Sequence, residues 1–354
     1  MKEEKQEYAF LGRFTYLFRG GKSPRRHSTL MIALVLVALL AFVGPVSADN
    51  YYMGTPPSNT ITGTATGDVI VFYKDTWNSA PDWNSRVQQA WANFTISDDV
   101  PSASSIQFAR LYAVPYLGSM SADYTGNMTV KLYQDNTFVE NAVVNQSLSL
   151  SYTNNSGASY ASVPAGGYLI NLSRVTSDYV AVFEVKPAFS YLGNRHVNVS
   201  LTSYNLTGRF DGRFKQAQFV YAYNKTGGSN KYYWLNNGHD PITKYIGVYT
   251  ANQTTFSGVS VPATYTANLW VDLVAGNSTS GPGYGKYWWD GAGYETDISV
   301  DSDYEPVVEQ GKYAGLNKWT WTNSDPILAN GVNTLKYSRT NDYYKIVFSV
   351  LTIR

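Results

Sequence analysis

Cysteine is absent from all 354 residues. Its absence excludes disulfides, thiolate metal sites and a cysteine-anchored lipid, so the core alone must hold the chain together. Histidine is scarce: the three, His27, His196 and His239, show no Glu-Xaa-Xaa-His spacing, leaving zinc or a histidine-assisted nucleophile without visible partners. No Gly-Xaa-Ser-Xaa-Gly elbow, Walker loop or His-Glu-Xaa-Xaa-His motif occurs. Charged residues make up only 15% of the chain, without a run of one sign. A nucleic-acid partner needs a basic face, and none is visible. Long helical periodicity is missing too, which excludes a parallel α/β sheet. The expectation is therefore a protein that is not an enzyme, has no cofactor and binds no nucleic acid. Two acids distant in sequence can still meet in a cleft, and sequence does not reveal them.

The N-terminus carries the strongest positive signal. Basic residues Arg19, Lys22, Arg25 and Arg26 precede an apolar run from Leu30 to Val43, followed by small residues at Val46-Ser47-Ala48. That order describes a secretory signal peptide over residues 1–48, cleaved after Ala48. The alternative is a retained anchor, but Gly44 and Pro45 stop the run at roughly 15 residues where about 20 span a bilayer. Removing seven of the 27 basic and three of the 26 acidic residues leaves 20 against 23, a net charge of −3. No second apolar span follows, and the run from Val347 to Arg354 reads as a last strand. The expected location is extracellular, at a cell surface or envelope, without a membrane span after cleavage.

The remaining chain reads as β-structure. Thirty Tyr and nine Trp suit pleated, half-buried surfaces. Met128, Val130 and Leu132 alternate with Thr129, Lys131 and Tyr133; Val197, Val199 and Leu201 alternate with Asn198, Ser200 and Thr202. Ala217, Phe219, Tyr221 and Tyr223 share a face, as do Ala267, Leu269, Val271 and Leu273. These are sandwich strands with one face in a core and the other toward solvent. Asn237-Gly238, Asp290-Gly291 and Asn330-Gly331 supply residues that tolerate positive φ in tight turns. Val100-Pro101 before Ala109-Arg110-Leu111-Tyr112 is matched by Val261-Pro262 before Ala267-Asn268-Leu269-Trp270. Tyr133-Gln134-Asp135-Asn136 is matched by Trp289-Asp290-Gly291, and Val197-Asn198 by Val332-Asn333. The expected fold is two tandem jelly-roll-like antiparallel β-sandwiches, residues 49–240 and 241–354, with the boundary at the Asn-Gly-His-Asp-Pro segment.

Few residues suggest a site. Asp297, Asp301, Asp303 and Glu305 form the densest acidic patch, read as a solvated loop with calcium as the alternative; Pro306 rules out EF-hand spacing. Trp288-Trp289, Trp319 with Trp321, and Tyr232-Tyr233-Trp234 are candidate sugar-stacking rings, although core packing is the commoner use of such rings. Asn-Xaa-Ser/Thr sequons begin at Asn93, Asn127, Asn145, Asn154, Asn171, Asn198, Asn205, Asn224, Asn252 and Asn277, ten against about five expected from composition. They are the candidate glycosylation sites, and Asn198 is expected on the outer face of its strand.

The segment Tyr233-Trp234-Leu235-Asn236-Asn237-Gly238-His239-Asp240, with the sequon at Asn252 and Asp342-Tyr343-Tyr344 before the last strand, resembles a domain family of unknown function in surface proteins of methanogenic archaea. Subunits of the tubular sheaths of filamentous methanogens are similar. The resemblance implies an archaeal envelope and assigns no catalytic residue. The functional expectation is a secreted, N-glycosylated structural subunit of a sheath or surface layer that self-assembles into a homo-oligomer or lattice. A secreted glycan-binding or adhesion module, with cell-surface glycans as partners, is the alternative.

Overall fold

The computed structural model describes residues 55–77, 87–116, 122–133, 144–153, 158–162, 169–175, 178–186, 196–208, 210–242, 251–275, 285–291, 295–299, 314–325, 327–339 and 344–354. The expected signal peptide lies outside the described residues. Among those described, no helix is long and apolar enough to cross a membrane.

The protein is all-β, and period-two alternation sets its layers. In β5 (Tyr124–Tyr133), Met128, Val130 and Leu132 are buried while the residues between them are half-buried. β5 sits in an outer sheet ordered β3 (Val87–Thr95), β10 (His196–Gly208), β5, β6 (Val144–Thr153) and β7 (Ala158–Ser162). An inner sheet runs β2 (Val69–Asp75), β11 (Phe214–Tyr223), β4 (Ile106–Pro115), β9 (Asp178–Glu184) and β8 (Leu169–Val175). Leu111, Phe183, Phe219 and Tyr221 of the inner sheet close the first core against Phe94, Met128, Leu148 and Val199 of the outer one.

The second sandwich repeats the plan. Its inner sheet runs β1 (Thr55–Ala65), β12 (Lys231–Ile242), β19 (Tyr344–Ile353), β14 (Thr266–Ala275) and β17 (Ala314–Thr322). Its outer sheet runs β13 (Ala251–Val259), β18 (Gly331–Arg339), β15 (Gly285–Asp290) and β16 (Glu295–Asp297). Inner order β2-β11-β4-β9 corresponds to β12-β19-β14-β17, and outer order β3-β10-β5-β6 to β13-β18-β15-β16. Two of the matched sequence anchors fall on corresponding strands: Ala109–Tyr112 in β4 with Ala267–Trp270 in β14, and Val197 in β10 with Val332 in β18. β1, β7 and β8 are additions to that shared jelly-roll plan. Trp289, Trp319 and Trp321 fill the second core, each contributing on the order of 2 kcal/mol or more through burial.

Three expectations need correction. The passage between sandwiches is not at residues 240–241: β11 ends at Tyr223 in the first inner sheet and β12 begins at Lys231 in the second, and β1 also joins the second. The Asn-Gly-His-Asp-Pro segment is not a turn but the interior of β12, where the register against β19 slips between Asn237 and Asp240. The slip sets three steps of β12 against two of β19 and so absorbs an extra residue. Finally, β11 and β14 do not present one face to solvent, and neither do β12 and β19 beside them, for which no such face was expected. The two inner sheets pack against each other, so Tyr112, Val180, Val182 and Val220 meet Leu235, Val274, Val347 and Phe348 in a third apolar cluster. β19, the expected last strand, is central in its sheet, between β12 and β14.

Candidate functional site

Because asparagine and hydroxyl residue are two apart in a sequon, an extended strand places both on one face. On β3, Ala92 and Phe94 point into the core, so Trp91, Asn93 and Thr95 face outward. The same logic turns Asn198 and Ser200 outward on β10, Asn127 and Thr129 on β5, and Asn145 and Ser147 on β6. The register aligns Asn93 with Asn198, Trp91 with Ser200, Asn127 with Tyr204 and Asn145 with Lys131. Four sequons thus share the outer face of one sheet, and the hydroxyls of Thr129 and Ser147 lie 3.3 Å apart in a hydrogen bond. On the described outward positions of β3, β10, β5 and β6, Lys131 is the sole lysine, and no carboxylate occurs. By contrast, the second outer sheet carries Lys336 paired with Glu295 at 2.5 Å and Asp290 at 3.5 Å.

Two large rings stand on the uncharged face. Trp91 is 45% exposed and Tyr204 41%. Neither was among the expected stacking rings, although the apolar Ala92 and Phe94 around Asn93 already place Trp91 on the side away from the core. Of the expected rings, Trp288 is half-buried on the face of β15 opposite the buried Tyr287 and Trp289, and the others went to packing. Trp319 and Trp321 do share a face, but it points into the second core together with Trp289 and Trp234. Tyr233 lies between the sandwiches. Large rings recur inside because each removes much apolar area from water.

The sequons differ in access. Asn93 and Asn145 are exposed, and Asn127, Asn205, Asn224 and Asn252 are half-buried. Asn198 is outward-facing as expected, yet only 6% exposed, because β10 is central and its neighbours Asn93 and Tyr133 flank it. Asn252 shares the inward face of Thr254 and Phe256, and its amide bonds the Asp240 carboxylate. The Asn224 side chain accepts the Thr66 N–H at 3.0 Å, beside a groove of about 400 Å³ lined by Ser102, Ser104 and Ser105. Asn154 and Asn277 lie outside the described residues, as does the side chain of Asn171. Of the acidic patch, Asp297 ends β16, while Asp301, Asp303 and Glu305 lie outside the described residues. Among the described residues, no group of three or more His, Asp or Glu could hold a metal ion.

Charge is instead concentrated between the inner sheets. Asp178 of β9 pairs with Lys215 of β11 at 3.0 Å and with Lys345 of β19, and all three are buried. Burial would push the Asp178 carboxyl up, but Lys215 and Lys345 hold it below its usual value. Burial also pulls Lys215 down to about 8, against the attraction of Asp178. His239, expected in a turn, is buried beside this group and acts electrostatically on Asp178. Asp272 accepts amide hydrogen bonds from Gln216 at 2.9 Å and from Gln218 at 2.9 and 3.1 Å. Tyr112 donates to Asn237 at 2.5 Å. This seam is closed to solvent and joins one sandwich to the other.

The family described as "Protein of unknown function (DUF3344)" matches residues 50–354. No curated protein matches. Solved structures similar to the chain include PNGase F, a glycosylasparaginase from Flavobacterium meningosepticum, at 12% identity over 81% of this chain and 95% of that one, with TM-score 0.22. Others are naturally occurring empty particles of cowpea mosaic virus, at 8% identity over 82% and 91%, TM-score 0.19, and the ANX2 ectodomain from Arabidopsis thaliana, at 8% over 80% and 89%, TM-score 0.19. The expectation that the chain is not an enzyme does not stand: it rested on missing motifs, and a missing sequence motif does not establish the absence of a reaction. No residue, substrate or reaction is carried over from the solved structures.

Proposed function

The chain belongs to the family of unknown function (DUF3344) that matches residues 50–354; from that premise, we propose that it is a secreted, N-glycosylated structural subunit of a cell envelope that associates with copies of itself. The observation that carries this reading is the sheet face on which four complete sequons lie together on an almost uncharged surface. Attached saccharide needs outward asparagine and hydroxyl pairs with room above them, and Asn93 and Asn145 have both. An archaeal sheath or surface layer is the setting suggested by the resemblance of Tyr233 to Asp240. A cysteine-free exported sandwich buried on both faces of its inner sheets suits a lattice exposed to the medium.

The exposed rings of Trp91 and Tyr204 favour a second reading, a module that binds cell-surface glycans on the same face. Peptide mass mapping of the protein isolated from its native envelope separates the two. Saccharide on Asn93 and Asn145, in a protein that dominates the envelope preparation and sediments as an oligomer, is expected. Bare asparagines in a minor, monomeric species whose Trp fluorescence responds to added oligosaccharide would favour the binding module instead.

A further inference from the structure

We propose that Lys215 and Asp178 form an intramolecular amide cross-link, Nζ to Cγ, that clamps β11 to β9 within the first sandwich. Placement carries the inference. Asp178, Lys215 and Lys345 are all nearly or wholly inaccessible to solvent, and burying three full charges is costly. Lys215 Nζ lies 3.0 Å from one Asp178 oxygen and 3.1 Å from the other. Nearly equal distances put the nitrogen on the plane that bisects the two carboxylate oxygens, from which a swing over the carboxyl face brings it to the ~3–3.5 Å from the carbon that attack requires. Lys345 donates to Oδ2 from the second sandwich. The Tyr116 ring covers Lys215 Nζ at 5.0 Å, and the Tyr116 backbone bridges Asp178.

The chemistry balances within these three side chains. Lys215 passes one ammonium proton to Oδ1, 3.0 Å away, and becomes the neutral amine that burial favours, while Asp178 takes the proton against the ionised form that the two lysines favour, which makes this the uphill step. The amine attacks Cγ, the N–C bond forms, and the carbonyl pair moves onto Oδ2, where the Lys345 ammonium stabilises it. A second nitrogen proton moves to Oδ1, the C–Oδ1 bond breaks and water leaves. Oδ2 becomes the amide carbonyl and keeps its hydrogen bond from Lys345. One ammonium and one carboxylate become one amide and one water, Lys345 is unchanged, and no oxidant is required. A chain without cysteine gains in this way a covalent loop closure of the kind that a disulfide supplies elsewhere.

The test is mass spectrometry of the purified full chain expressed without glycans. The expected result is an intact mass one water below that of the processed sequence, and a branched peptide joining the Lys215 and Asp178 fragments after proteolysis. Lys215→Arg keeps the charge but cannot form the amide, and is expected to restore the full mass; Lys345→Met is expected to lower the cross-linked fraction. Full mass and two separate peptides in the wild type, or a water loss that persists in Lys215→Arg, would overturn the proposal. Should Lys215→Arg fail to fold, the wild-type branched peptide decides alone.

Discussion

Gln218 in β11 donates its side-chain amide to both carboxylate oxygens of Asp272 in β14, so a buried polar pair ties the first sandwich to the second. Gln216 adds a third bond at 2.9 Å. Asp272→Ala leaves both amides without this acceptor inside the seam, and each buried unsatisfied group costs about 1–3 kcal/mol. Urea unfolding is expected to show a loss of about 2–5 kcal/mol, against a smaller loss for Asp272→Asn, which keeps one acceptor oxygen. An unchanged midpoint in Asp272→Ala would show that the seam is held by its apolar contacts alone.

Asp240 supplies a pH dependence. Burial raises its carboxyl to about 6, although Tyr337 donates to it at 2.6 Å. The folded value lies above the ordinary carboxylate value, so between about pH 4 and pH 6 the folded chain holds more protons than the unfolded one. Stability contributed by this group is therefore present at low pH and lost as pH rises through that window, by about 1–3 kcal/mol. Asp240→Asn is expected to remove that slope. Chemical denaturation of both proteins across the window measures it, and parallel profiles would exclude Asp240 as the source.

Trp91 and Asn93 are two residues apart on one strand face, about 7 Å in an extended chain, which matches the width of a sugar ring. Under the glycosylated reading, Trp91→Ala is expected to lower the stability of the glycosylated protein by on the order of 1 kcal/mol. In the unglycosylated protein the change is expected to stay within about 0.5 kcal/mol, as for other surface sites. Thermal unfolding of the four species gives the coupling; equal effects in both backgrounds would exclude stacking between ring and sugar.

Gly208 closes β10 with φ of 73°, and a Cβ there would collide with the Asp123 carbonyl. Gly208→Ala is expected to destabilise the first sandwich by about 1–3 kcal/mol, whereas Gly227→Ala, with φ of 75° and open space around it, pays only the backbone cost. Comparing their unfolding midpoints isolates the collision.

Alternation by itself determined that the chain is all-β, which residues line each core, and that one unit is repeated. A strand face reads locally, and Met128, Val130 and Leu132 need no distant partner to declare which side they take. The outward pairing of asparagine and hydroxyl on β3, β5 and β6 is legible for the same reason. Tertiary structure alone decided what covers the other faces. Gln216, Gln218 and Asp272 alternate with apolar residues and read as solvent-facing, yet they are buried because two inner sheets meet there. The Asn237-Gly238 pair reads as a turn and became an irregularity within β12, since its partners in β1 and β19 lie far along the chain. Asn198 is outward by its own pattern and inaccessible by its neighbours. Direction is a property of the strand, whereas burial belongs to whatever the fold brings over it.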